Sequence, residues 1–376
     1  MTAFDPEAQL PGAPDPWAGS SMPAWRDAAP YAMTEMIAAE PALAERLVSR
    51  LAADPALDRL VVAVREAATV TVAGCGTSEH AAMGIAAMLR ACGVRAAAAP
   101  AMDALLDPSD GLLIGVSHEG GTKITNAALA AARERGEVTA LVTVSDRSPG
   151  AALAAITLTT DEQDQSWAHT VGYLSPLLVG SVLAARLRGE QLDAARIRSL
   201  AEPGAALVSA VEAAAGALAR ASLIVVAGTG ADQVSARELA LKIEEACHIP
   251  AVAREVETLL HGHLAAFDAS TAIVLIVSDL PHRDALLERA STEFRAAAEL
   301  GAPVIGLLGT KAAAALGGGV GHVPLPAPDG VEPTIAALVG AAVPLQLLAE
   351  RLARARGVNP DTIGREDPRQ MAAASV

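Results

Sequence analysis

Glu238, Lys242, Glu245 and His261 are the side chains of this sequence whose types and spacing could do chemistry, all within ELALKIEEACHIPAVAREVETLLHGH at 238–263. Spacing of i, i+4 and i+7 puts Glu238, Lys242 and Glu245 on one face of a helix. As a solvated face, that trio is a lysine bridging two glutamates, each pair contributing about 0.2–0.5 kcal/mol. As a site, a helix-borne carboxylate and His261 in the following turn supply a base and an acid for proton transfer. The HGH sequence at 261–263 has the alternation of a metal site, but no third ligand stands at a telling distance, so no metal is expected.

A second group of candidates lies in GCGTSEH at 74–80 and SHEGGT at 117–122. Both follow short apolar runs and precede helical patterns, the setting in which helix N-terminal amides favour an anion. Gly76, Thr77 and Ser78 in the first, and Ser117, His118, Glu119, Gly120 and Thr122 in the second, are the candidate ligand-binding residues, with hydroxyls suited to a phosphate. Neither stretch matches the dinucleotide fingerprint or the P-loop, so nicotinamide cofactors and ATP are disfavoured and no cofactor is expected.

The elements that must position these residues follow from the pattern around them. ATVTVAG, GLLIGVS and VTALVTVS read as strands, and the first two pass through glycine turns into AAMGIAAMLRACG and TNAALAAARERG, which read as helices. The second half repeats the device. LIVVAGTGADQVSARELAL places Gly230 opposite Gly76, 154 residues on; TAIVLIVS places Ser278 opposite Ser117; and ELGAPVIGLLG places Gly301 opposite Gly136. Such a drifting offset is that of a diverged duplication. The fold class expected is α/β, with two tandem domains, each a parallel sheet flanked by helices in a three-layer α/β/α sandwich. Ahead of them, residues 1–30 are Pro-rich without apolar period, an extended arm suited to wrapping a partner subunit. A helix follows in TEMIAAEPALAERLVSRLA, broken in two at Pro41.

Composition narrows the function. A net charge of −15 without a basic run excludes nucleic acid as the expected partner. Aromatics are only 2%, so Ala, Val, Leu and Ile must fill the core. The absence of a long uncharged apolar span and of a cationic, apolar leader predicts a cytoplasmic protein with no membrane contact. Three widely spaced cysteines, Cys75, Cys92 and Cys247, fit reduced thiols within a core.

GCGTS, the S-x-x-G-x-T pattern of SHEGGT, the E-x-x-x-K-x-x-E helix, the HG after it and the D-x-P-R-like tail resemble, in order, the sugar-isomerase (SIS) domain family, and within it the isomerase half of glucosamine-6-phosphate synthase. The resemblance runs from about residue 31 to the C-terminus, without the synthase's glutaminase domain. After the arm at 1–30, it implies a first SIS domain at 31–200, a second at 201–355 and a tail at 356–376 near the active site. It further implies that Ser78, Ser117 and Thr122 hold a sugar phosphate, that Glu245 moves a proton between C1 and C2, and that His261 promotes ring opening from the neighbouring subunit of a homodimer. His169, in QSWAHTVGYLS, takes the place of a polar turn that contacts the sugar. Two positions depart from the family: Glu119 replaces a serine of the phosphate loop, and Ala373 replaces the tail lysine that forms a Schiff base.

The expectation is therefore an isomerase, deaminase or deglycase of sugar or amino-sugar phosphates, using Glu245 and His261 with Lys242 and Glu238 setting the charge. The alternatives are a non-catalytic sugar-phosphate sensor, favoured by Glu119 and Ala373, or an enzyme for an unphosphorylated sugar.

Overall fold

A computed structural model of the chain describes residues 4–19, 26–108, 110–316, 321–326 and 329–374. It divides into two compact units. One comprises Met1–Met22, Ala38–Gln165 and His169–Ala201; the other comprises Pro23–Ile37, Ser166–Ala168 and Glu202–Val376.

Helix α1 (Ala32–Leu51) opens the regular structure and contributes residues to both units, and α2 (Pro55–Glu66) follows it. The start of α2 is written in its sequence: the Asp54 carboxylate accepts the Ala56 N–H, Pro55 sits at the first helical position, and Leu57, Leu60, Val61 and Val64 form the buried stripe. Then come β1 (Val70–Gly74), α3 (Thr77–Ala91), β2 (Ala96–Pro100), α4 (Ala101–Leu106), β3 (Leu112–Val116), α5 (Lys123–Glu134), β4 (Val138–Thr143), β5 (Ile156–Thr159), α6 (Val171–Leu187) and α7 (Ala194–Ala201). The five strands are parallel in the order β2-β1-β3-β4-β5. All five residues of β3 are buried, as expected where helices cover both faces of a parallel sheet.

The second unit holds α8 (Ala205–Leu218), β6 (Leu223–Ala227), α9 (Ala231–Cys247), β7 (Ala251–Arg254), α10 (Val256–Leu260), β8 (Thr271–Val277), α11 (Asp284–Leu300), β9 (Val304–Leu308), α12 (Thr310–Leu316), β10 (Gly321–Pro324), α13 (Pro333–Ala355) and α14 (Pro368–Ala374). Its parallel sheet runs β7-β6-β8-β9-β10, the order of the first sheet strand for strand. The central strand β8, TAIVLIV, is buried along its whole length. Helix α13 is the one described helix long and apolar enough to cross a membrane, but 89% of its apolar window is buried, which makes it a core helix of the second unit.

Two expectations need correction. Pro41 does not break α1; the helix runs through it. Losing one hydrogen bond at a proline costs about 3 kcal/mol, and the buried Met33, Met36, Ile37, Leu43, Leu47 and Leu51 on either side hold the helix together. The N-terminal segment, expected as an extended arm, has no helix or strand among its described residues, and these pack on their own chain. Leu10 is buried with its N–H on the Glu162 carboxylate, and Trp17 Nε1 donates to the Glu119 carbonyl. Of the cysteines, all free thiols, only Cys247 is buried; Cys75 and Cys92 are half-buried.

Candidate functional site

Each unit carries candidate residues of its own, on its own scaffold. In the first unit, β1 ends at Gly74 and α3 begins at Thr77, and the turn between them requires glycine twice. A Cβ on Gly74 would stand 2.5 Å from the Ser78 carbonyl oxygen, and Gly76 has φ +55. Thr77 is buried and Ser78 half-buried in the first turn of α3, where the free amides of the helix concentrate positive potential.

The loop from Ser117 to Thr122 joins β3 to α5 and is tied from below. Ser117 N–H donates to the Val142 carbonyl, the His118 carbonyl accepts from Val144 N–H and Thr143 Oγ1, and the Gly120 carbonyl accepts from Gly150 N–H and Asn126 Nδ2. Gly120, at φ +67, lies so close to Ser148 that a Cβ would meet its Oγ at 2.1 Å. Only glycine fits there. With the backbone held, Ser117 Oγ and Thr122 Oγ1 stand 3.1 Å apart, two hydroxyls able to turn together toward an anion.

Glu119, the residue that stands against a phosphate at this loop, is half-buried, and its Oε1 accepts from Gln163 Nε2 at 3.3 Å. A partner is thus built in for the carboxylate on the far segment 161–165. Beside it, His118 Nε2 accepts the Asp164 N–H at 2.9 Å, and its ring lies 5.2 Å from that of His169. Part of the His118 residue reaches solvent, yet enclosure of its ring, with the neighbouring His169 acting in the same direction, pushes its pKa down to about 3. His118 is neutral at physiological pH and serves as an acceptor. Sequence reasoning missed Asp164, whose signal was only an acidic DEQD run at 161–164. It is fully buried and accepts N–H bonds from Thr170 and Gly172 at 2.7 and 2.9 Å, with His169 Nδ1 3.6 Å from Oδ2.

In the second unit, Glu238, Lys242 and Glu245 share a face of α9, and that face is enclosed. The side chains of Glu238 and Lys242 are 0% exposed, that of Glu245 25%. Lys242 Nζ stands 3.6 Å from Glu238 Oε1 and in close contact with Glu245 Oε2. A solvated face is excluded by this burial. A cation removed from water and shared by two carboxylates is costly unless both partners stay in place. Glu245 is the outward member of the trio. The tail approaches it: the Arg365 guanidinium lies 3.5 Å from the Trp167 ring centroid and feels the Glu245 charge. Ala373 lies in α14, in the exposed part of the tail.

His261 is not brought to this trio by any hydrogen bond. It ends α10 with a side chain 71% exposed, and its Nε2 pairs with Glu257 Oε1 at 2.7 Å; Glu257 in turn binds Arg289.

Two sheets with identical strand order, each presenting a glycine turn and a serine past its central strand, define a doubly wound α/β protein of duplicated domains. Residues 63–186 match the model of the SIS domain, and the chain has the two-sheet fold of tandem SIS domains. Among curated proteins, the glutamine–fructose-6-phosphate aminotransferase (isomerizing) of Zymomonas mobilis is 31% identical over 265 residues, covering 67% of this chain. The chain spans 42% of the length of that relative. The C-terminal domain of glucosamine-fructose-6-phosphate aminotransferase from Francisella tularensis has the same fold, with a TM-score of 0.75 at 20% identity over 89% of this chain and 98% of the other. Tagatose-6-phosphate ketose/aldose isomerase from Escherichia coli superposes with a TM-score of 0.76 at 20% identity, covering 91% and 98%.

Proposed function

We propose that this protein is an enzyme of sugar-phosphate or amino-sugar-phosphate chemistry, isomerising or deaminating (or deglycating) its substrate through proton transfer between C1 and C2. The observation that carries this reading is the enclosed Glu238–Lys242–Glu245 trio, with one buried cation between two carboxylates and Glu245 as its outward member. Glu245 acts as the base at carbon, and Lys242 offsets the charge of both carboxylates. Gly76, Thr77, Ser78, Ser117, Gly120 and Thr122 form the phosphate-holding turns, with Glu119 drawn onto Gln163. The names of the Zymomonas mobilis and Escherichia coli relatives, an isomerizing aminotransferase and a ketose/aldose isomerase, support the same substrate class.

No imine is needed for this route. Ala373 stands where the tail lysine is expected and no lysine follows Lys311, so general acid–base chemistry is the mechanism. Ring opening is assigned to His261, and its exposure on its own chain favours a homodimer in which His261 of the partner subunit completes the site. The cytoplasm is the compartment that such substrates imply.

Deuterium wash-in at C2 tests this reading, with fructose-6-phosphate, glucose-6-phosphate and glucosamine-6-phosphate in heavy water. Exchange is expected with at least one of them and is lost in Glu245→Gln by about 100-fold or more; no exchange with any of the three sinks the proposal. A sensor without turnover is the second reading, favoured by Ala373. Under it, a sugar phosphate raises the melting temperature of the protein and is never converted.

A further inference from the structure

Four of the five large apolar side chains exposed among the described residues, Val62, Met102, Leu106 and Val138, belong to the first unit, and none lies in its 74–80 or 117–122 loops. Three of the four line two cavities. The larger, of about 550 Å³, is lined by Arg59 and Val62 of α2, Leu112 at the start of β3, and Glu137 and Val138. The other, of about 430 Å³, is lined by Thr71, Ala97 and Leu113 of the sheet, by Asp103, Leu106 and Asp107, and again by Glu137. Sharing Glu137, the two form one continuous surface. Leu112 and Val138 open strands that run toward Ser117 and Thr143, so this surface begins at the end of the sheet away from the 117–122 loop.

The second unit covers the equivalent place with its own chain. Thr71 pairs with Ala97 and Leu113 across the first sheet as Val225 pairs with Val252 and Ile273 across the second. Leu264 and Phe267, in the turn after α10, pack with Val252 on the cluster that holds Val225, and Phe267 packs also on the cluster that holds Ile273. In the first unit the connection from α4 to β3 is only DPSDG at 107–111, against residues 261–270 from α10 to β8, and it has no leucine or phenylalanine to fold back over the sheet. A cover for this face must come from outside the unit.

The charges around the surface say what kind of cover fits. Asp103 and Asp107 are exposed, and among the described residues neither carboxylate has a hydrogen bond or ion pair. Arg59, three residues before Val62 on the exposed face of α2, is likewise unpaired. Between them, Arg135 holds both oxygens of Glu137, at 2.7 and 3.2 Å, and offsets its charge. One patch thus carries a cation beside an apolar side chain on one flank and an apolar cavity with two carboxylates on the other. A two-fold contact between identical chains requires that self-complementarity.

We infer that this surface joins two copies of the chain about a two-fold axis near Val138, with Arg59 and Val62 of each copy set against Asp103, Asp107 and Leu106 of the other. Neutralised by Arg135, Glu137 does not repel its counterpart across the axis. This contact is separate from the one assigned to His261 and depends on no sugar chemistry.

Sedimentation of the full-length protein tests it. Arg59→Glu in one variant, and Asp103→Arg with Asp107→Arg in another, are each expected to halve the mass of the assembly and to weaken the contact by about tenfold or more. Mixing the two variants should restore the mass, because each mixed pair regains opposite charges at both of its flanks. Unchanged mass in both variants overturns the inference, as does a loss that mixing does not restore. An unmodified protein that stays monomeric at about 100 μM also overturns it and leaves the surface to a small ligand or a different protein. Circular dichroism checks folding; Val62→Glu replaces a charge reversal that fails to fold, with the same halving expected and an unchanged mass counting against the contact.

Discussion

At the first glycine turn, Gly76 with φ +55 leads into α3 and Ser78 stands in its first turn; at the second, Gly230 with φ +67 leads into α9 and Asp232 takes the corresponding place. The close approach of strand to helix is the same. A Cβ on Gly74 would meet the Ser78 carbonyl oxygen at 2.5 Å, and one on Gly228 would meet that of Asp232 at 2.6 Å. What differs is the occupant. Ser117 Oγ stands against Thr122 Oγ1, whereas Ser278 donates both its N–H and its hydroxyl to Asp232, and Arg283 Nη2 binds the same carboxylate at 2.9 Å. The second turn carries a carboxylate, enclosed at 1% exposure, at the position where the first carries Ser78. Burial pushes the Asp232 pKa up against the pull of Arg283, as expected of a carboxylate locked into structure. A duplicated scaffold thus carries a serine at one turn and an enclosed carboxylate at the other.

The largest effect that could break this comparison is expected from Asp232→Ala. It strands the Arg283 guanidinium, only 14% exposed, and should lower unfolding stability by about 3–5 kcal/mol, with inorganic phosphate restoring part of the loss. Ser78→Ala should cost less than about 1 kcal/mol of stability and weaken phosphate binding instead. Denaturant unfolding with and without phosphate reads both; equal stability losses at the two positions would remove the distinction.

A second contrast lies in the buried titratable groups. In the first unit, His118 keeps its proton off until about pH 3 against 6.5 in the unfolded chain, so stability is lost as pH falls below 6.5. In the second, burial and the Glu255 charge push Glu293 up to about 8 against 4.5. The unfolded chain releases a proton there that the fold retains, so stability falls as pH rises from 4.5 to 8. Glu293→Gln should therefore raise stability at pH 8 by about 2–4 kcal/mol relative to its effect at pH 4.5. Urea midpoints at the two pH values decide it, and a pH-independent difference rules the assignment out.

The smallest effect concerns Glu119. Because its carboxylate is held by Gln163, Glu119→Ser should tighten phosphate binding less than about tenfold, or 1.4 kcal/mol. A larger gain, read by calorimetry, would mean that the carboxylate faces the anion after all.

Much of the scaffold was legible in the sequence because parallel strands buried on both faces are continuous apolar runs. β1, β3, β6 and β8 announced themselves in this way. The edge strand β2 did not: AAAAP is built of a helix-forming residue and becomes a strand through its pairing with β1. Likewise β7, AVAR, lay unread within the 238–263 stretch, because four residues, Ala251 buried and the other three half-exposed, carry no period. Of the candidate residues, Ser117, Thr122, Lys242 and Glu245 stood out by motif, while Asp164 did not, since a carboxylate in an acidic run looks like any solvated one.

By itself the sequence determined the α/β alternation, the duplication and the face shared by Glu238, Lys242 and Glu245, all of which follow from local periodicity. Whether that face met water or protein was decided by tertiary packing, because desolvation of Lys242 depends on what lies against α9 and not on its spacing. The same holds for Asp232 and Asp164. Each is one acidic residue among many in the chain, and only the fold, by enclosing one with Arg283 and Ser278 and the other with two backbone N–H groups and His169, gave them their separate surroundings.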